Sequence, residues 1–100
     1  MREYYRVILD AHARADLERR RRYDRNYICD AILAHLSRQP EAESRSRIKR
    51  LRGAPAPRYR LRVGDFRVFY TVHGRTVCGH RVLHKSETRR FYKREAKGRL

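Results

Sequence analysis

The chain has 100 residues and a formal net charge of +16, with Lys+Arg at 27 against Asp+Glu at 11. That length suggests one domain with a thin core. The charge favours polyanionic partners and argues against a membrane-embedded chain: the longest apolar run near the start, Val7-Ile8-Leu9, matches neither a signal peptide nor a membrane span.

The charge is concentrated. Residues 1–43 carry 9 basic and 8 acidic residues, a net of +1, and residues 44–100 carry 18 and 3, a net of +15. Of the 27 cations, 23 are arginine, the residue suited to bidentate phosphate contact. Cys29 and Cys78 are too few for a secreted disulfide scaffold, so we expect reduced thiols and a cytoplasmic protein.

In chain order, YYRVILD (4–10) predicts a short strand. Asp10 is a natural N-cap for a helix over 11–23, whose thin apolar face holds Ala13, Leu17 and Tyr23. A better amphipathic helix follows over 25–38, with Ile28, Ile32, Leu33 and Leu36 at helical spacing and Pro40 beyond its end. Residues 39–57 read as a connector with one helical turn through Ile48 and Leu51, closing in Gly53, Pro55 and Pro57. Strands at 58–63, 66–73 and 76–84 come next, joined by Gly64-Asp65 and Gly74-Arg75 as type II′ turns. The tail from Ser86 to near Gly98 predicts a last helix. The order β-α-α-β-β-β-α predicts a small α+β fold, with two N-terminal helices on one face of a mainly antiparallel sheet.

A two-residue turn at 64–65 fixes which residues share a face. Val63 opposes Phe66, Arg62 opposes Arg67, Leu61 opposes Val68, Arg60 opposes Phe69 and Tyr59 opposes Tyr70. The apolar set makes a core face. Arg58, Arg60, Arg62, Arg67 and Phe69 make a basic one, with no acid between residues 44 and 64. Four arginines predict phosphate binding, and Phe69 among them predicts base stacking. Carried across the second turn, the same parity adds Thr76, Cys78, His80, Val82 and His84 to the basic face and leaves Arg81 on the core side, unless a bulge at Gly79 corrects it. His73 and His80 read as surface residues. Cys78-x-His80 with His84 fits no standard metal site, and no carboxylate lies nearby in sequence, so neither metal nor cofactor is expected.

RIKRLRG followed by YRLRVGDFRVFYTV and FYKR resembles the RelE/ParE superfamily, toxins of type II toxin–antitoxin pairs. RelE-type members are ribosome-dependent endoribonucleases that cut mRNA and arrest translation. ParE-type members share the fold and inhibit DNA gyrase, the alternative reading. The resemblance implies a cognate antitoxin, expected to be acidic where it meets the toxin. It places Arg67 at the family's phosphate-stabilising arginine, Arg58 and Arg60 at its lysines, and Lys85 at a second catalytic arginine. Tyr92 matches the catalytic tyrosine by type, whereas strict spacing from Lys85 puts Phe91 there. Arginine is a poor proton carrier, so His84 is the chemically better base. The expected catalytic set is Arg67, His84, Lys85 and Tyr92, with Arg58, Arg60, Arg62 and Phe69 binding RNA.

Overall fold

The computed structural model describes residues 4–52 and 58–98, with side chains of the last helix described through Lys93. Its elements are β1 (Arg6–Leu9), α1 (Ala11–Glu18), α2 (Arg22–Leu36), β2 (Ile48–Leu51), β3 (Arg58–Val63), β4 (Phe66–His73), β5 (Thr76–His84) and α3 (Thr88–Gly98), with a short 3-10 turn at Lys85–Glu87 before α3. The strands form one sheet in the order β1-β5-β4-β3-β2. β1 runs parallel to β5, and the other neighbours are antiparallel.

Both hairpin turns have the expected chemistry. Gly64 and Gly74 each have φ of 58°, and among the described residues no non-glycine residue has positive φ. Positive φ at the first turn position alone is the type II′ signature. The β3–β4 register is the one that turn dictates, from Val63↔Phe66 through Arg62↔Arg67 to Tyr59↔Tyr70. Tyr59, Leu61, Val63, Val68 and Tyr70 are buried in one cluster with Ala13, Leu17, Ile28, Ile32 and Leu36 of the two N-terminal helices. Tyr70 also donates its hydroxyl to the Pro40 carbonyl at 2.6 Å, tying the start of the connector to the core.

Three local expectations change. First, the helical turn through Ile48 and Leu51 is instead β2, which pairs Ile48 with Leu61 and Leu51 with Arg58. Two apolar residues three apart suit a helix, but here they project to opposite faces of a strand, and Ile48 alone enters the core. The backbone groups on the outer edge of β3 decide the matter by recruiting a partner. Gly53, Pro55 and Pro57 lie outside the described residues.

Second, α1 stops at Glu18, and Tyr23 sits in α2 with its side chain outside the core. Arginines gather where α1 ends: Arg25 Nη1 donates to the Arg20 carbonyl just beyond the cap at 3.2 Å, and Arg19 turns back to the Asp16 carboxylate at 2.8 Å.

Third, β5 carries the bulge. Phe69 pairs with Arg81 and Tyr70 with Gly79, leaving His80 between them. The extra residue reverses parity beyond it. Arg81 therefore joins the basic face, while Val82 and His84, expected there, lie on the helix side opposite Val68 and Phe66.

The helices are pinned to the sheet where β1 ends. β1 reaches only Gly79 along β5, closing with Asp10 N–H to the Gly79 carbonyl at 2.9 Å. Beyond that point α1 side chains take the place of a neighbouring strand. Asp16 Oδ2 accepts the Val82 N–H at 2.8 Å, and Arg20 Nη2 donates to the Val82 carbonyl at 2.9 Å. Asp16 also accepts Arg81 Nε at 2.8 Å and Arg81 Nη2 at 3.2 Å, and is itself only 2% exposed. Removing one member of a buried, hydrogen-bonded ion pair leaves an uncompensated charge and costs roughly 3–5 kcal/mol. We expect Asp16→Ala to lower unfolding free energy by about 3 kcal/mol or more, read as a lower urea midpoint with an unchanged slope.

Candidate nucleic-acid interface

The sheet face away from α1 and α2 collects one sign of charge. Register places Lys49 (β2), Arg58, Arg60 and Arg62 (β3), Arg67 (β4) and Arg81 (β5) on it. Lys49 opposes Arg60, and Arg62 opposes Arg67. Directly opposed like charges destabilise a sheet by up to about 1 kcal/mol per pair, and here two such pairs lie side by side. The effect is visible at Arg67. Burial, then the neighbouring Arg62 and Arg60, pull its pKa below the ordinary arginine value, and Tyr92 and Asp65 offset only part of this. Its Nη1 is anchored on the Gly64 and Phe66 carbonyls, both at 2.9 Å, which fixes the guanidinium at the β3–β4 turn.

α3 crosses the same face. Phe91 packs on Phe69 with ring centroids 4.5 Å apart, and Tyr92 meets Phe69 edge-on at 5.7 Å. Phe69 is thus 3% exposed, which corrects its expected role: beneath α3 it is the floor of a small apolar contact and cannot stack on a base. Tyr92 remains 39% exposed and borders a recess of about 450 Å³ beside Lys49 and Arg60. Of the two tail aromatics, Tyr92 is the one that brings a hydroxyl to the basic face.

The remaining predicted residues separate. His84 lies across the sheet from Arg67, with its ring edge-on to Phe66 at 5.5 Å. Its Nδ1 accepts the Ser86 N–H at 3.2 Å, and its own N–H is taken by Glu87 Oε1 at 2.8 Å, so His84 caps the 3-10 turn. The bulge thus places His84 on the helix side of the sheet, on the face away from Arg67. Lys85 sits at the rim, with its N–H on the Asp65 carbonyl at 2.7 Å and Nζ 3.4 Å from Asp65 Oδ1, an exposed pair of little energetic weight.

A second constellation lies at the bulge, around the His80 that the sequence reads as a surface residue. His80 Nδ1 is 2.9 Å from Asp10 Oδ2, and its Nε2 is 2.8 Å from Thr71 Oγ1. Asp10 also caps α1 as expected, through Oδ1 on the Ala13 N–H at 2.9 Å. Asp10, Cys78 and His80 bring donor atoms within 4.8 Å of one another, so a carboxylate does approach this histidine and cysteine through folding. A metal there would have to displace Thr71 or Asp10 from the imidazole and ionise Cys78. Burial and the Asp10 charge both push that thiol's pKa up, against ionisation.

For the Asp10 carboxyl, burial works upward, but the Ala13 N–H and the His80 hydrogen bond and charge outweigh it, so its pKa falls below the ordinary 3.8. A carboxyl depressed on folding contributes stability that is complete above its unfolded value and lost as pH falls through its folded one. Urea midpoints from pH 5 down to pH 2.5 should therefore drop more steeply for the wild type than for Asp10→Asn.

Comparison with known proteins follows the same lines. The model of a family described as the ParE toxin of type II toxin–antitoxin systems matches residues 7–89. No curated protein matches the chain in sequence. Among solved structures, a chain of the RelBE2 toxin–antitoxin complex from Mycobacterium tuberculosis is similar at 28% identity and TM-score 0.70, covering 81% of this chain and 98% of that one. A chain of the RelB–RelE antitoxin–toxin complex from Methanococcus jannaschii shares the fold at 24% identity and TM-score 0.65, with 86% and 99% covered. So does one from the archaeal RelE–RelB complex of Pyrococcus horikoshii OT3, at 21% identity and TM-score 0.63, with 81% and 94% covered.

Proposed function

We propose that this chain, which belongs to the ParE toxin family of type II toxin–antitoxin systems, is an endoribonuclease that cuts ribosome-bound mRNA and is silenced by an acidic antitoxin segment. The fold hosts more than one activity, so the reading must rest on the site. The observation that carries it is the basic sheet face: six cations from four strands, four of them in two directly opposed like-charge pairs. A phosphate chain relieves that repulsion.

RNA supplies its own nucleophile in the 2′-hydroxyl. The protein must bind the phosphate, neutralise charge as the phosphorus becomes five-coordinate, and manage two protons. Arg67, fixed at the turn and flanked by Arg60 and Arg62, is placed for the second task. Its fork can meet two phosphate oxygens at once. Tyr92 brings a hydroxyl to the same face, and Lys85 adds charge at the rim. Among the described residues no helix is long and apolar enough to cross a membrane, and the proposed site of action is the cytoplasm, where translating ribosomes are. The RelB-containing complexes among the similar structures support an antitoxin partner. The +15 half of this chain favours acidic chemistry in it.

The test is cleavage of a defined message in a purified translation system, read by primer extension. Purified protein should cut the message only while it is translated. Arg67→Ala should slow cutting by about 10²–10³-fold, the usual effect of losing one transition-state donor, with an unchanged melting profile. RNA binding should weaken with salt at a slope of about 0.7 per phosphate contacted, and Arg62→Ala should lower that slope by about one contact. An intact message together with trapped, cleaved gyrase–DNA complexes would instead establish gyrase inhibition.

A further inference from the structure

The nuclease reading leaves one chemical role unfilled. Arginine cannot take a proton from the 2′-hydroxyl, and His84 is occupied as a cap on the other side of the sheet. The bulge in β5 puts a different histidine on the basic face.

His80 is held between two partners. Its Nδ1 faces the Asp10 carboxylate at 2.9 Å, and its Nε2 faces the Thr71 hydroxyl at 2.8 Å. In the neutral ring, an ionised carboxylate requires the proton on Nδ1, which leaves the Nε2 lone pair to accept from Thr71. This fixes the tautomer and the direction of the basic nitrogen together. Helix capping alone does not require the arrangement, because Asp10 caps α1 with Oδ1 and offers Oδ2 to His80. The donating hydroxyl also has a telling address. Thr71, itself buried, is the direct cross-strand partner of Arg58, so Nε2 lies beside the column where the arginine row begins. A recess of about 270 Å³ borders the spot, lined by Asp10, His12, Arg58, His80, Arg81 and Phe91. The His80 side chain is 40% exposed and so within reach of a ligand.

We propose that His80, oriented by Asp10, is the general base of this site, and that the Thr71 hydroxyl marks where an RNA 2′-hydroxyl docks. This rests on the nuclease reading. In the step, the 2′-O–H bond breaks and its proton goes to Nε2. The 2′-oxygen bonds to phosphorus, giving a 2′,3′-cyclic phosphate, and the P–O5′ bond breaks. Solvent water protonates the departing 5′-oxygen, and the hydroxide so formed takes the proton back from His80. The charged or titratable groups around the imidazole are Asp10, His12, Cys78, Arg58 and Arg81. Arg81 is committed to Asp16, and the Cys78 thiol is pushed up in pKa and stays protonated.

The test is single-turnover cutting of a message on programmed ribosomes across pH 5.5–8.5. Wild-type rate should rise with pH through one ionisation and then level. His80→Gln should cut at least about 10²-fold more slowly, the low end for a lost general base, and show no such limb. Asp10→Asn keeps the helix cap through its carboxamide oxygen. It breaks the Asp10–His80 contact that holds the ring, so it should slow cutting, and combined with His80→Gln it should slow cutting no further. A purely structural role would add its own loss in the double variant.

His80→Gln cutting at the wild-type rate with the limb intact overturns the proposal and leaves the nuclease reading standing. Cutting abolished by EDTA and restored by zinc also overturns it, in favour of a metal on Asp10, Cys78 and His80. Wild-type protein that never cuts overturns both. Should the variants fold poorly, the wild type alone decides: adding a short unmodified RNA, which stays uncut off the ribosome and keeps its 2′-hydroxyls, should shift the His80 imidazole resonances in NMR. An unmoved His80 rejects the assignment.

Discussion

A buried carboxylate on α1 organises much of this molecule. Asp16 receives a backbone N–H from β5 and the Arg81 guanidinium, and so joins the first helix to the central part of the sheet. It lets the short β1 end at Gly79 without leaving the next stretch of β5 unsatisfied. It also governs Arg81, which would otherwise be one more uncompensated cation on a crowded face. Arg20, one turn further along, completes the join through the Val82 carbonyl and Glu87.

The two faces of the sheet are held by different means. The helix side has a continuous core running from Ala13 to Val82. Among the described residues the basic side has a smaller apolar patch, Phe69 with Phe91 and Tyr92 and, opposite Arg67, the buried Leu83. The protein thus separates the job of being folded from the job of meeting an anion. The like-charge pairs across β3, with their neighbours, can persist because the opposite surface of the same strands is so well packed.

What the sequence disclosed followed from chemistry local to it. Glycine at the first position of each two-residue turn fixes the hairpin register, and the register assigns the faces, so the arginine row and the Tyr59–Tyr70 core pair were legible. Asp10 was legible as a cap because it directly precedes α1. The rest depended on contacts distant in the chain. β2 exists because β3 offers an edge, although Ile48 and Leu51 have helical spacing. The bulge reverses the sides of Arg81 and His84, and local parity cannot locate it with certainty. The fate of Phe69 depended on Phe91, more than twenty residues later, and the approach of Asp10 to His80 spans 70 positions. Cys78-x-His80 seemed to lack a carboxylate only because its carboxylate belongs to the first helix cap.

The edges of the sheet bear on how such a chain behaves before it meets a partner. Both are four-residue strands, β1 with Arg6 and β2 with Lys49 and Arg50. Short, positively charged edges resist docking of a second sheet, since each new ladder would bring like charges together over few hydrogen bonds. On a chain of net charge +16, that repulsion works at every approach between copies. The charge gathered on one face also keeps newly made molecules apart from one another.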